Sequence, residues 1–552
     1  MYLQPEPASI RRHFATVKGR QVHYRRAGSG PPLVVLHQSP TSSAEMASHI
    51  AAFSRHFTVI APDTPGYGLS DPLPLAQPEM HDYADALAEL LDALQIDACG
   101  IYGTHTGAMI AAEFARRHPG RVSTAVLDGY VVLSDAERSA LLANYFIDVA
   151  PRRDGGHLAW YWSRIRDQVL FFPWYDQRRE ARMRFDVPPA EALQPYVLDL
   201  LRADRMGTPA YAAAFRYPAS KRITEFTAAT WLLNYAQDAI ADHPERLEHL
   251  PDCVHRELLA DPDALMARAI ELFTDAAQGL LEPPPAPASP PAVNAVDYID
   301  TPLGPILVRR QGASDAAPMI LLHAPGMSSR EWQVLPAGFT AAASLLAADL
   351  PGHGESPAAM PEDAGVLLDA LEAVVDAAGP DARVLALNES AWLALALRAR
   401  RPSLAVILVD MPMPRDEAQP LRLAPDLAPC DHGGHLLAAW QCVRDAELFR
   451  PWHRPWLAHA LEHDFELEPV RIHARTLELL KAAPTLSAWT SLLGGLDVQA
   501  LLSVEGTPPL IVARLGRGAE DDADHAATLA GGSALRWPAA LADWHAGLLA
   551  RP

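Results

Sequence analysis

The stretch GIYGTHTGAMIA, residues 100–111, decides how the rest of the chain is read. An apolar run leads into GTHTG, and the small apolar residues that follow suit a helix packed closely on a sheet. Gly103 and Gly107 leave room for a very tight turn, and His105 stands at its apex. The stretch predicts a strand, a sharp reversal and a helix, with an imidazole presented where the chain reverses.

Working outward, short apolar runs alternate with amphipathic helical ones. PLVVLHQ, FTVIAPD, ACGIYGT and VSTAVLD read as buried strands, and MHDYADALAELLDALQI and TGAMIAAEFARRHP as helices between them. That alternation predicts a mostly parallel sheet covered on both faces, with chemistry at the carboxyl ends of its strands. Around residues 283–292 the chain becomes PPPAPASPPA, which reads as an extended linker. Beyond it the same order of segments returns. LVVLHQSPTSS is matched by MILLHAPGMSS, and APDTPGYGLSDP by AADLPGHGESP. His105 falls opposite Asn388, Asp128 opposite Asp410, and GGHLAWYWSRIRDQVLFFPW pairs without a gap with GGHLLAAWQCVRDAELFRPW. A register that drifts so slowly points to an internal duplication.

In this order and spacing both halves resemble the α/β-hydrolase family over nearly their whole length. The resemblance implies two tandem α/β-hydrolase-like domains, each a mostly parallel sheet flanked by helices with a helical cap insertion. The expected boundaries are 1–282 with a cap over about 131–225, a linker over 283–293, and 294–552 with a cap over about 411–503. In that family the sharp turn carries a nucleophilic serine. Here the apex is His105, and in the second half Asn388 stands between Ala386 and Ser390.

The other family roles fall by position. TAATWLLNYAQDAI matches the seventh core strand, which puts Asp238 in the place of the acid; Asp128, at the end of VSTAVLD, is the alternative acid. CVHRELLADPDALMARAIELF resembles the last loop and helix, with His255 in the place of the catalytic histidine. Backbone N–H groups of Thr106 and Gln38 take the places that bind a developing negative charge. His37 is expected to support their loop, because His323 recurs opposite it. In the second half Gly516 or Arg517 falls near the acid position and Trp537 near the histidine position, which implies an inactive copy.

An imidazole at a helix amino terminus is expected to stay neutral near pH 7, as a base or nucleophile. His255 beside a carboxylate would have the opposite bias. Two reaction styles follow. One is hydrolysis of an ester, thioester or activated C–C bond with His105 as base or nucleophile; the other is a lyase or isomerase with a His105/His255 acid–base pair. A non-catalytic binding or scaffold protein is the alternative from another class. The aromatic-rich stretch from Trp160 to Tyr175 is read mainly as cap core, with an apolar or aromatic substrate if any of it lines a pocket.

Composition narrows the partners. With 49% hydrophobic and 20% charged residues the chain is globular. The formal charge of −21 argues against nucleic acid and anionic membrane surfaces. Neither a secretory leader nor a membrane-spanning run is evident, and four cysteines without CxxC spacing suit a reducing compartment, so a cytoplasmic protein is expected. A small-molecule substrate is the expected partner, and a homo-oligomer stays open. No cofactor is expected, and no metal, because His105, His255 and Asp238 lack clustered ligand spacing.

Overall fold

The computed structural model describes residues 10–203, 208–287, 295–312, 317–334, 344–356, 360–361, 363–414, 421–461, 467–504, 511–514 and 535–536. The chain divides into two compact units, Met1–Val149 with Trp160–Ser289, and Ala150–Ala159 with Pro290–Pro552. Part of the proline-rich stretch, 288–294, lies outside the described residues, as do Gly516, Arg517 and Trp537.

The first unit holds an eight-stranded sheet in the order β1-β2-β4-β3-β5-β6-β7-β8. Its strands are β1 (Arg11–Val17), β2 (Arg20–Ala27), β3 (Pro32–Leu36), β4 (Thr58–Pro62), β5 (Cys99–Thr104), β6 (Val122–Asp128), β7 (Thr230–Tyr235) and β8 (Val254–Leu259). β1 and β2 pair antiparallel, β2 meets β4 antiparallel, and all pairings from β4 through β8 are parallel. β3 and β4 are buried along their whole length, as a sheet covered on both faces requires.

Alternation along the strands divides the core. Val34, Leu36, Ile60, Ile101 and Leu127 pack on one face with α2 (Met80–Ala93) and α3 (Thr106–Arg117). Leu33, Val35, Val59, Tyr102 and Val126 pack on the other with α1 (Ala47–Phe53) and α9 (Pro262–Ala276). Each fully buried Leu, Ile or Val contributes about 1.5–3 kcal/mol relative to exposure. α2 begins with a reciprocal cap in which the Glu79 N–H donates to Asp82 Oδ2 at 2.8 Å.

Between β6 and β7 the chain forms α4 (Asp135–Asn144), α5 (Gly156–Leu170), α6 (Ala190–Ala203), α7 (Thr208–Arg216) and α8 (Ala219–Arg222). Tyr145, Trp174 and Phe215 are buried there beside Trp160, Tyr175 and Tyr211, and Arg164 lies 4.3 Å above the Trp174 ring. These aromatic side chains pack on one another as the core of the inserted segment.

The second unit repeats the strand order, β9-β10-β12-β11-β13-β14-β15-β16, with the β9–β10 and β10–β12 pairings antiparallel and the remaining ones parallel. Its strands are β9 (Val296–Thr301), β10 (Gly304–Gly312), β11 (Pro318–Leu322), β12 (Ser344–Ala348), β13 (Arg383–Leu387), β14 (Ala405–Val409), β15 (Ile511–Arg514) and β16 (Leu535–Arg536). α10 (Ala364–Ala378) and α11 (Ser390–Arg400) follow β12 and β13; α12 (Gly434–Ala446) and α13 (Pro469–Ala482) lie between β14 and β15. Both units are thus mostly parallel sheets flanked by helices, with the organisation of α/β-hydrolase-like domains. Among the described residues no helix is long and apolar enough to cross a membrane.

Candidate active site

β5 ends at Thr104 and α3 begins at Thr106, so the reversal falls on His105, with φ 45° and ψ −106°. A non-glycine residue held there costs on the order of 1–3 kcal/mol. The surroundings hold it in place: the His105 N–H donates to the Asp128 carbonyl at 2.8 Å, and the Met109 N–H donates to the His105 carbonyl at 3.1 Å. A Cβ on Gly103 would lie 2.3 Å from the Gly107 carbonyl oxygen, and one on Gly107 2.4 Å from that of Leu36. Gly129 (φ 75°) lies against the imidazole, since a Cβ there would stand 2.5 Å from His105 Cδ2.

Across the ring, His105 Nε2 lies 3.0 Å from Asp238 Oδ2. Asp238 sits in the turn after β7, where its N–H donates to the Tyr235 carbonyl at 3.0 Å and its Oδ1 accepts the Ile240 N–H at 2.8 Å. The carboxylate is 2% exposed and the imidazole 36%. With Nε2 engaged, Nδ1 is the ring atom without a partner among the described residues.

Electrostatics reverse the expectation of a neutral imidazole. Burial pushes the His105 pKa down, but the charge and hydrogen bond of Asp238, with the charges of Asp128 and Glu45, outweigh it and raise the pKa to about 9. Burial pushes Asp238 up, and His105 with the Ile240 N–H brings it below its ordinary value. A helix amino terminus offers about half a charge, which these carboxylates exceed. At pH 7 the apex is an imidazolium beside a carboxylate.

Asp128 is 8% exposed. Its Oδ2 accepts the Tyr102 hydroxyl at 2.7 Å, and its Oδ1 is buried without a partner. Burial pushes its pKa to about 6, against the Tyr102 hydrogen bond and the His105 charge. Of the two candidate acids, Asp238 makes the contact with His105.

His255 is a correction to the sequence reading. VHRELL is β8 itself, and His255 is its second residue, exposed and paired in register with Trp231, whose ring centroid lies 4.4 Å from its own. From Trp231 to Tyr235 roughly 13 Å of strand separates that level from the carboxyl end of the sheet. The misreading arose because a strand was taken for the loop that follows it. That loop is Ala260–Asp261, where Asp261 caps α9 by accepting the Ala264 N–H at 2.8 Å.

The loop after β3 lies beside the elbow: the Thr104 hydroxyl is 3.4 Å from the Leu36 carbonyl and 4.0 Å from Met46 Sδ. His37 is buried and ties this loop down. Its Nδ1–H donates to the Gln38 carbonyl at 2.7 Å, and its Nε2 accepts the Thr64 N–H at 2.9 Å. Burial, outweighing the Asp63 charge, lowers its pKa, which suits this neutral tautomer. Neither the Gln38 nor the Thr106 N–H meets an acceptor among the described residues.

Sequence reasoning missed Glu45 in this loop. The Gln38 side-chain amide donates to its Oε1, and the Thr41 hydroxyl lies against its Oε2. Burial, aided by the Asp199 charge, raises its pKa to about 7 against those hydrogen bonds and His105. The signal was a lone glutamate in the otherwise small and uncharged run QSPTSSAEM.

Residues 31–170 match the family model described as alpha/beta hydrolase fold. A soluble epoxide hydrolase of Corynebacterium sp. (strain C12) is 40% identical over 106 residues, 19% of this chain and 37% of that protein. The 2-hydroxy-6-oxo-2,4-heptadienoate hydrolase of Pseudomonas putida is 33% identical over 119 residues, 21% and 43% of the two chains. The matches thus span less than half the length of these curated relatives. Among solved structures, epoxide hydrolase A from Mycobacterium thermoresistibile overlays with a TM-score of 0.39 at 19% identity, over 49% of this chain and 99% of that one.

Proposed function

We propose that the first unit is a hydrolase-type enzyme acting on a small, neutral, apolar or aromatic carbonyl compound, and that His105, held by Asp238, moves the proton. The observation that carries this reading is the 3.0 Å contact between the two at the apex of a strained turn. The pair suits an ester, a thioester or an activated C–C bond. The Gln38 and Thr106 N–H groups would receive the oxyanion; such donors can contribute about 3–4 kcal/mol each. Asp238, Asp128 and Glu45 around one imidazolium disfavour an anionic substrate.

Protonation decides between the roles of His105. With a pKa of about 9, the imidazole is neutral in only about one molecule in a hundred at pH 7. Attack by its lone pair is suppressed accordingly, and proton donation to a leaving group or enolate is favoured. The same imidazolium favours a second reading, enolate chemistry without water addition, as in a lyase or isomerase. His255 has no part in either.

Two of the matched relatives, the epoxide hydrolase and the heptadienoate hydrolase, are named for hydrolase activities, which supports hydrolytic chemistry. We assign the second unit as a duplicated copy without catalysis, and the whole chain as a soluble cytoplasmic enzyme needing neither metal nor cofactor. Replacing His105 by alanine should abolish turnover of 4-nitrophenyl butyrate while circular dichroism stays unchanged; retained turnover would overturn the reading. A serine-directed fluorophosphonate should leave the elbow unlabelled. Solvent deuterium entering product without water addition would select the lyase or isomerase reading.

A further inference from the structure

We propose that Glu45 is the general base working opposite His105, taking a proton from the attacking water while His105 gives one to the leaving group. This rests on the hydrolytic reading above. An imidazolium donor leaves hydrolysis without a base, and His255 is out of place to act as one. Asp128 is spoken for by the Tyr102 hydroxyl and is almost fully buried. Glu45 is only partly buried, on the loop that carries the Gln38 N–H.

The hydrogen bonding around Glu45 serves both of its protonation states. The Thr41 hydroxyl has one proton and two acceptors in reach, Glu45 Oε2 and the Gln38 carbonyl, the latter at 2.8 Å. When Glu45 is ionised, that proton turns to Oε2. When Glu45 is protonated, the carboxyl donates to Thr41 Oγ, whose own proton turns to the Gln38 carbonyl. The Gln38 amide stays on Oε1 in both. A rotating hydroxyl of this kind lets the carboxyl gain and lose a proton without stranding a buried polar atom.

The second unit supplies a control. At the equivalent place in MILLHAPGMSSREW stands Glu331, but Ala324 and Met327 replace Gln38 and Thr41. Glu331 Oε1 instead accepts from the Arg475 guanidinium at 3.4 Å. That carboxylate faces a permanent cation, and the residue at the place of Thr41 is Met327, which has no hydroxyl. Around Glu45 the charged and titratable neighbours are His105 from the elbow and Asp199 and Tyr196 from α6; Asp199 accepts the Ser42 hydroxyl at 3.0 Å.

The step balances. Water oxygen bonds to the substrate carbonyl carbon as its proton passes to Glu45; the bond to the leaving group breaks as the imidazolium protonates it. One water is added and one bond is cleaved. The proton on Glu45 then returns to His105, directly or through solvent.

The test follows 4-nitrophenyl butyrate hydrolysis by the full chain from pH 5 to 10, for wild type and the variants E45Q, T41M, D199N and H105A. Wild-type kcat should rise through an apparent pKa near 7 and fall near 9. E45Q should lower kcat about 100-fold with little change in KM, and abolish the rise while keeping the fall. T41M removes a hydrogen bond to the carboxylate and should move the rise to higher pH. D199N removes a repelling charge and should move it lower.

In chain labelled with [5-13C]glutamate, one carboxyl should titrate near 7 and be missing from E45Q. An E45Q enzyme that keeps the rise, or the absence of such a resonance, overturns the role of Glu45. If H105A abolishes turnover in the same preparations, the hydrolytic reading still stands. A wild-type chain that leaves the ester intact, or an H105A chain that cleaves it, overturns that reading and this role together.

Discussion

His105 and Asn388 occupy the same kind of turn in the two units, with φ 45° and 51°. Each N–H donates to a carbonyl at the end of the neighbouring strand, Asp128 at 2.8 Å and Val409 at 2.9 Å. His37 and His323 tie down the preceding loop in the same way, each donating to the next residue's carbonyl and accepting a backbone N–H at 2.9 Å. What differs is the side-chain setting. Gly103, Gly107 and Gly129 correspond to Ala386, Ser390 and Met411. Ser390 fills its place by donating to the His323 carbonyl at 2.6 Å.

Charge balance separates the units further. In the second, Lys481 is buried between Glu355 at 2.7 Å and Glu478 at 3.0 Å, and Arg475 binds Glu331 and Glu447. In the first, the charge that offsets Asp238, Asp128 and Glu45 is a titratable imidazole. The strained turn is therefore a property of the scaffold and persists whatever stands at its apex. On the proposed reading, chemistry depends on whether the carboxylates nearby meet a fixed cation or one that can release its proton.

Four substitutions would break or sharpen this contrast. Lys481→Met removes the cation between two carboxylates at positions where the side chains are 7–8% exposed, and should destabilise the second unit by about 3 kcal/mol without touching kcat. Calorimetry with an ester assay checks both halves of that statement; lost activity would give the second unit a role in turnover.

Asp238→Asn should lower kcat about 100-fold and bring the alkaline limb down from about 9. The sign for stability follows from the raised pKa. The ion pair stabilises the fold fully below about 6.5 and loses that contribution as pH rises to about 9. Because the imidazole is about one-third exposed, solvent screening reduces the effect to about 1 kcal/mol. Denaturant titrations at pH 6 and pH 9.5 should differ by that amount in wild type and hardly at all in the variant.

Gly129→Ala puts a Cβ against the imidazole and strains a φ of 75°; it should cost about tenfold in kcat and about 1 kcal/mol in stability. His255→Ala should change kcat less than about twofold. Its loss of the Trp231 contact is worth about 0.5–1 kcal/mol, visible in thermal melts. A large kinetic effect would return His255 to the site.

The parallel sheet was legible because β-branched runs and helical periods alternate without ambiguity, and the apex because two glycines bracket it. Asp238 could be placed from its position after a recognisable strand. The state of His105 could not, because it depends on carboxylates brought together from residues 45, 128 and 238, whereas sequence shows only the adjacent helix. His255 was misplaced because the boundary of VHRELL is set by pairing with β7, a long-range contact that local pattern does not encode. Glu45 went unnoticed because its importance lies in the hydroxyl and amide folded over it.

The His105–Asp238 contact joins the turn after β5 to the turn after β7 and asks nothing of the turn after β8. On this assignment Ala260 and Asp261 are answerable only to the cap of α9. That connection still borders the site, because the Ala236 N–H, two residues before Asp238, donates to the Leu259 carbonyl at 3.2 Å; a fluorophore carried at Ala260 would therefore report on the turn that holds the acid.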